Sequence, residues 1–210
     1  KGSPVTNTML EVATSSNLWV NLFIMVLCAP VAEELIFRKL LIDRLAQYGE
    51  GVAVLFSGLM FGLFHGNLNQ FVYAFVLGLC FGFIYVKTGN IRYTIGLHML
   101  VNFLGSVLGV AILKWLGDDF LSIASDPAGM MSYMTGNFGK LIVYFIYIFL
   151  LLGVAIAGII LFIVNLKKIR FLPGMNTLPK GKRFSTTVLN VGMALYMIVW
   201  IVIIIVQLFQ

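Results

Sequence analysis

Two adjacent carboxylates and an arginine, Glu33-Glu34-x-x-x-Arg38, directly follow an apolar run from Leu18 to Val31. Ionisable groups at such depth in an apolar helix are costly and usually have a function. A helix places Glu34 and Arg38 one turn apart on one face, while Glu33 points about 100° further round. One carboxylate is then held by the guanidinium and the other is left free. Both histidines of the chain also lie in apolar stretches: His65 closes Phe61-Gly62-Leu63-Phe64-His65, and His98 opens His98-Met99-Leu100-Val101-Asn102. The four-residue spacing stacks His98 and Asn102 on one helical face. A carboxylate, two imidazoles and an amide suit hydrolysis of an amide bond, as a base for water, a proton shuttle and donors to an oxyanion. If Glu34 rather than Glu33 faces the histidines, the base is reversed.

The elements that must position these groups are membrane helices. Of 210 residues, 60% are hydrophobic and 10% charged, with a mean hydropathy of +1.01. These values exclude a soluble domain and indicate an all-α, polytopic helical bundle. Residues 1–17 read as a polar N-terminal segment, and 18–210 as one transmembrane domain with its core at about 30–105. Six helices are expected, over 18–46, 52–65, 71–87, 92–115, 140–166 and 186–208. They are separated by breaks at Gly49 and Gly51, a turn over 66–70, the Lys87–Asn90 turn, an acidic loop over 117–139, and a Pro- and Gly-bearing linker over 165–184. The first residue is Lys1 and no signal peptide is visible, so further N-terminal helices are expected upstream.

Alternating six helices sorts the cations by side. Arg38, Lys39, Arg44, Lys87, Arg92, Lys167, Lys168, Arg170, Lys180, Lys182 and Arg183 fall on one side, and Lys1, Lys114 and Lys140 on the other. The side with eleven is cytoplasmic by the positive-inside rule. The net charge of +6 therefore reports topology, with anionic lipid rather than nucleic acid as the secondary contact. At ~1.5 Å per residue from the basic ends, Glu33 lies ~17 Å deep, His65 ~21 Å, His98 ~14 Å and Asn102 ~20 Å. That similarity predicts a shared site opening towards the cytoplasm.

Cys28 and Cys80 lie within apolar runs and read as small hydrophobes rather than a disulfide or metal site. Ser57, eight residues before His65, has no triad geometry and no nucleophile elbow.

Taken in order, Glu33-Glu34-x-x-x-Arg38, Phe61-x-x-x-His65 and His98-x-x-x-Asn102 resemble the three motifs of the CAAX-protease and bacteriocin-processing (Abi) family of intramembrane glutamate endopeptidases, over about residues 30–105. The resemblance implies that Glu33, with His65, binds and activates water. His98 and Asn102 would stabilise the oxyanion, His98 passing a proton to the leaving amine, and Glu34 and Arg38 would support the geometry. No cofactor and no metal is implied. The expected partner is a membrane-associated peptide or small protein in a bacterial cell membrane, with bacteriocin or signal-peptide maturation, self-immunity or CAAX-type trimming as the process. Three rivals stand beside it. Glu33, His65 and His98 could ligate zinc, although no His-Glu-x-x-His helix is present. Buried Glu, His and Arg also suit a transporter or proton-coupled channel, but no paired repeats with broken helices are found. A non-catalytic immunity or scaffold protein could keep the same residues.

Overall fold

Asn17 starts the first helix, its Oδ1 accepting a hydrogen bond from the Trp19 amide at 2.9 Å, which satisfies one of the free donors of the first turn. The chain then stays helical to Tyr48. The computed structural model describes residues 13–117, 120–176, 182, 186 and 190–208. Among these, all regular elements are helices: α1 (Leu18–Tyr48), α2 (Glu50–Phe64), α3 (Leu68–Thr88), α4 (Ile91–Leu116), α5 (Phe120–Ile123), α6 (Pro127–Asn165) and α7 (Val191–Leu208). Helices α1, α3, α4 and α6 are long and apolar enough to cross a membrane, and α2 and α7 are shorter apolar helices. The fold is the all-α polytopic bundle expected.

Local chemistry explains the breaks. Gly49, at φ 116°, divides α1 from α2 in a conformation that a side chain would strain. Gly89 caps α3 in the left-handed region at φ 63°, its amide donating to the Tyr85 carbonyl at 2.8 Å. Asn90 then opens α4 by accepting from the Arg92 amide at 3.0 Å.

Several boundaries differ from the sequence reading. The stretch 66–70 is not all turn: Asn67 caps α3 by accepting from the Gln70 amide at 2.8 Å, and Gln70 is helical and buried. The loop assigned to 117–139 is largely helical. Asp126 accepts from the amides of Ala128 and Gly129 at 3.2 and 3.0 Å, with Pro127 in the first turn, so α6 begins at 127 rather than 140. Asn137 kinks it at φ −129°, ψ 25°. The last helix is described over Val191–Leu208, and residues 187–189, on which its expected start at 186 depends, lie outside the described residues. Residues 1–12, Asp118, Asp119 and the linker at 177–181 and 183–185 lie outside the described residues.

Helices α2 and α3 pack unusually closely. A Cβ on Gly78 would lie 2.9 Å from Gly58 Cα, and one on Gly62 would lie 3.1 Å from the Phe71 carbonyl oxygen. Gly58 with Gly62, and Gly78 with Gly82, are thus small-xxx-small faces that let two backbones approach, which is how membrane helices gain packing without a hydrophobic drive. Below this contact, on the side of Tyr48 and Thr88, Ile42, Ala53 and Tyr85 form a buried cluster flanked by Leu45, Val86 and Ile91. Phe37, Phe61 and Ala74 form a second cluster above it, with Leu41, Met60 and Phe64.

The order of helix ends agrees with alternate crossing. The chain after α6 returns to the α1–α2 turn, where Leu172 O accepts from the Glu50 amide at 3.1 Å and the Leu172 amide donates to Glu50 Oε2 at 2.9 Å. Lys87, at the end of α3, pairs with the same carboxylate. At the opposite end, Lys114 Nζ donates to Ser16 O at 3.0 Å.

Candidate active site

The central stretch of α1 that carries the glutamates is enclosed between two widened, π-helical stretches, Asn21–Cys28 and Leu35–Ile42, and a third, Phe103–Gly109, follows Asn102 directly in α4. Such turns rotate the register of a helix face and are frequent at functional sites. Glu34 points into the bundle, with no exposed surface, and is paired with the equally buried Arg38 at 3.0 Å (Nε to Oε2) and 3.2 Å (Nη2 to Oε1). A buried charge pair of this kind needs further partners to offset its desolvation. Arg38 has three: its Nη1 donates to Ser57 Oγ at 2.6 Å, and its guanidinium lies 4.9 Å from the centre of the Phe61 ring and 5.9 Å from that of Phe81. Ser57 in turn donates to the Phe37 carbonyl at 2.8 Å, so α2 is tied to α1 beneath the site.

Glu34 also reaches α4. Its Oε1 lies 3.1 Å from His98 Nδ1. A carboxylate only accepts, so Nδ1 carries the proton of this bond and the other ring nitrogen, Nε2, is turned away from it. Nε2 faces Glu33, 3.8 Å from its Oε2. Phe61 and Phe81 fix the His98 ring, each with its centre 5.5 Å away. His98 thus bridges the two carboxylates, one through each nitrogen.

Glu33, His65, His98 and Asn102 all line one cavity of about 440 Å³, together with Met25, Ala29, Phe61, Phe64, Gln70, Tyr73, Leu77, Val101 and Ser106. Glu34 does not line it. Glu33 Oε2 is enclosed without a protein hydrogen-bond donor. His65 caps the end of α2, where Nδ1 lies 2.8 Å from the Phe61 carbonyl. A carbonyl accepts as well, so the Nδ1 proton is spent there and Nε2 keeps a lone pair in the neutral ring. Asn102 is partly committed: its Nδ2 donates to the Met25 carbonyl at 2.7 Å, leaving one amide proton for another acceptor. Among the described residues, no three His, Cys, Asp or Glu side chains are grouped so as to hold a metal ion.

Sequence reading missed some contributors. Ser57 was set aside as a nucleophile, and its contact with Arg38, 19 residues away on another helix, has no local signal. Asn21, almost fully buried, donates to Ala13 O at 2.8 Å and Ser106 O at 3.2 Å and so ties α1 to α4. A lone asparagine in an apolar run is itself the signal that could have found it.

The lining of the cavity extends away from the basic helix ends, on which side the sequence reading expected it to open. From Glu33 and His98 the lining runs to Met25 on α1 and Ala13 before it, to Gln70 on α3, and to Ser106 and Val110 on α4. These positions approach the ends at Asn17, Leu68 and Leu116, not those at Tyr48 and Thr88. Depth counted along each helix places the motif residues but does not reveal which end of the bundle is filled by side chains.

Glu33, His65, His98 and Asn102 lie within a part of the chain that resembles a known family. The chain is 32% identical over 74 residues to YdiL of Bacillus subtilis (strain 168), named as a membrane peptidase, covering 35% of this chain and 30% of the relative. It is 26% identical over 139 residues to the membrane-embedded CAAX protease MroQ of Staphylococcus aureus (strain USA300), covering 63% of this chain and 53% of the relative. The chain thus spans about a third and about half the length of these curated relatives. No solved structure matches it. Residues 15–104, which include Glu33, Glu34, Arg38, His65, His98 and Asn102, match the family described as type II CAAX prenyl endopeptidase Rce1-like.

Proposed function

We propose that this chain carries the active site of an intramembrane endopeptidase of the glutamate type, acting on a peptide or small protein held at the membrane. The observation that carries the reading is the meeting of Glu33, His65, His98 and Asn102 from three helices on one cavity, with Glu34 and Arg38 packed behind them. Glu33 takes a proton from a water bound between its carboxylate and His65 Nε2, and the oxygen attacks the scissile carbonyl carbon. Charge develops on the carbonyl oxygen and is met by N–H donors from His98 Nε2 and from the remaining amide proton of Asn102. The carbon–nitrogen bond then breaks as the leaving amine takes a proton, from His98 or from the Glu33 carboxyl. Two carboxylates and one guanidinium leave one negative charge in the site, so a single proton shared between Glu33 and His98 neutralises it. Glu34 orients His98 and Arg38 orients Glu34. The resemblances to proteins named as membrane peptidase and CAAX protease support this reading.

Purified protein is expected to cleave membrane-associated peptides, with products read by mass. Glu33→Gln and His65→Ala are each expected to lower the rate by about 10²- to 10⁴-fold, the usual worth of a general acid or base, while the protein still elutes as folded material. A chelator should leave cleavage unchanged. Loss of activity with chelator and its return with zinc would transfer the site to metal chemistry. An immunity phenotype that survives both substitutions would identify a non-catalytic role.

A further inference from the structure

We infer that the peptide reaches this site from the non-cytoplasmic face of the membrane. The inference deepens the peptidase reading and rests on it for the nature of the ligand, but its geometry is independent of turnover. Two observations carry it. The half of the bundle between the site and the basic helix ends is filled. Glu34, Arg38, Ser57 and Thr94 have no exposed surface there, and beneath them the Ile42, Ala53 and Tyr85 cluster closes the space between α1, α2 and α3. No lining residue of the cavity belongs to this half beyond Glu33, His98 and Leu77.

The cavity extends into the opposite half. The cavity continues past Asn102 to Ser106, Val110 and Ala13, and its wall includes the exposed side chains of Tyr73 on α3 and Val101 on α4. Helices α3 and α4 are joined at the basic end by the short Gly89-Asn90 turn, and Tyr73 and Val101 lie on the cavity wall towards their other ends. The distribution of Lys and Arg, eleven against three, puts the filled end in the cytoplasm and the other end outside. The lining is chiefly apolar apart from the catalytic groups and Gln70, Tyr73 and Ser106. It fits an extended peptide whose apolar residues lie in the outer half of the bilayer.

Cysteine labelling tests the route without requiring activity. In the full chain, with Cys28 and Cys80 changed to alanine, Ser106→Cys reports the cavity and Thr88→Cys, exposed at the end of α3, reports the basic face. Right-side-out membrane vesicles are treated with a membrane-impermeant maleimide before and after permeabilisation. The expected result is modification of Ser106→Cys in sealed vesicles, at least tenfold faster than that of Thr88→Cys, which should react only once the vesicles are opened. Modification of Ser106→Cys only after opening, or of Thr88→Cys in sealed vesicles, would overturn the inference. Should Ser106→Cys fail to accumulate, Gly105→Cys serves instead, because a side chain there meets no atom within 4 Å. The expected labelling in a protein that cleaves nothing would remove the peptidase reading and leave the route standing. Cleavage with the reverse labelling would do the opposite.

Discussion

Ser57 touches no cavity surface, yet four groups depend on it in series: it holds Arg38, Arg38 holds Glu34, Glu34 holds His98, and His98 faces Glu33. Ser57→Ala removes both of its bonds and leaves a guanidinium donor without its partner in a site without water access. An unsatisfied buried group of this kind costs about 1–3 kcal/mol. We therefore expect Ser57→Ala to lower the unfolding temperature in detergent and to reduce cleavage less than Glu33→Gln does. The i,i+4 pairing of Glu34 with Arg38 was legible in the sequence because it lies within one helix. The placement of Glu33 on the cavity follows from the same 100° step. The commitment of Asn102 to the Met25 carbonyl was not legible, because it joins residues 77 apart and arises only when α1 and α4 pack.

At the scale of elements, the α2–α3 hairpin sets where His65 ends. Helix α2 has 15 residues, about 22 Å at 1.5 Å per residue, against a hydrocarbon core of about 30 Å. It is shorter than that core is thick, and His65 sits at its tip. Its depth is secured by the glycine contact with α3 and by α7, where Tyr196 donates to the Met60 carbonyl at 2.7 Å and Trp200 packs on Phe64 with ring centres 5.2 Å apart. Gly78→Ala would drive a methyl group against the Gly58 backbone, which cannot rotate away. Overpacking of this sort costs about 1–3 kcal/mol. Gly96→Ala on α4 meets nothing within 4 Å and should be neutral or stabilising by about 0.5–1 kcal/mol. Comparing the two by thermal unfolding checks the contact, and equal stability would refute it. Hydropathy located these helices, whereas the early start of α6 was hidden because its first turns are polar and glycine-rich and are held by the Asp126 cap.

For the molecule as a whole, alternating helices predicted which ends lie together, and the structure brings Glu50, Lys87 and Leu172 together at one end as that order requires. The sequence could not show which end is filled, since that depends on side chains from several helices meeting. The filled half has an electrical consequence. A charge crossing a membrane potential changes in energy by about 2.3 kcal/mol per 100 mV, but the potential falls across material that ions and water do not enter. On the inferred route, with the Ile42, Ala53 and Tyr85 cluster as the insulating layer, Glu33 and His98 would share the potential of the outer solution. Protons can then move between water, Glu33 and the leaving amine without working against the field. Cleavage in proteoliposomes is accordingly expected to proceed at the same rate with and without an imposed potassium diffusion potential. A rate that changes several-fold per 100 mV would mean that the site lies within the field and that the packed layer does not seal it.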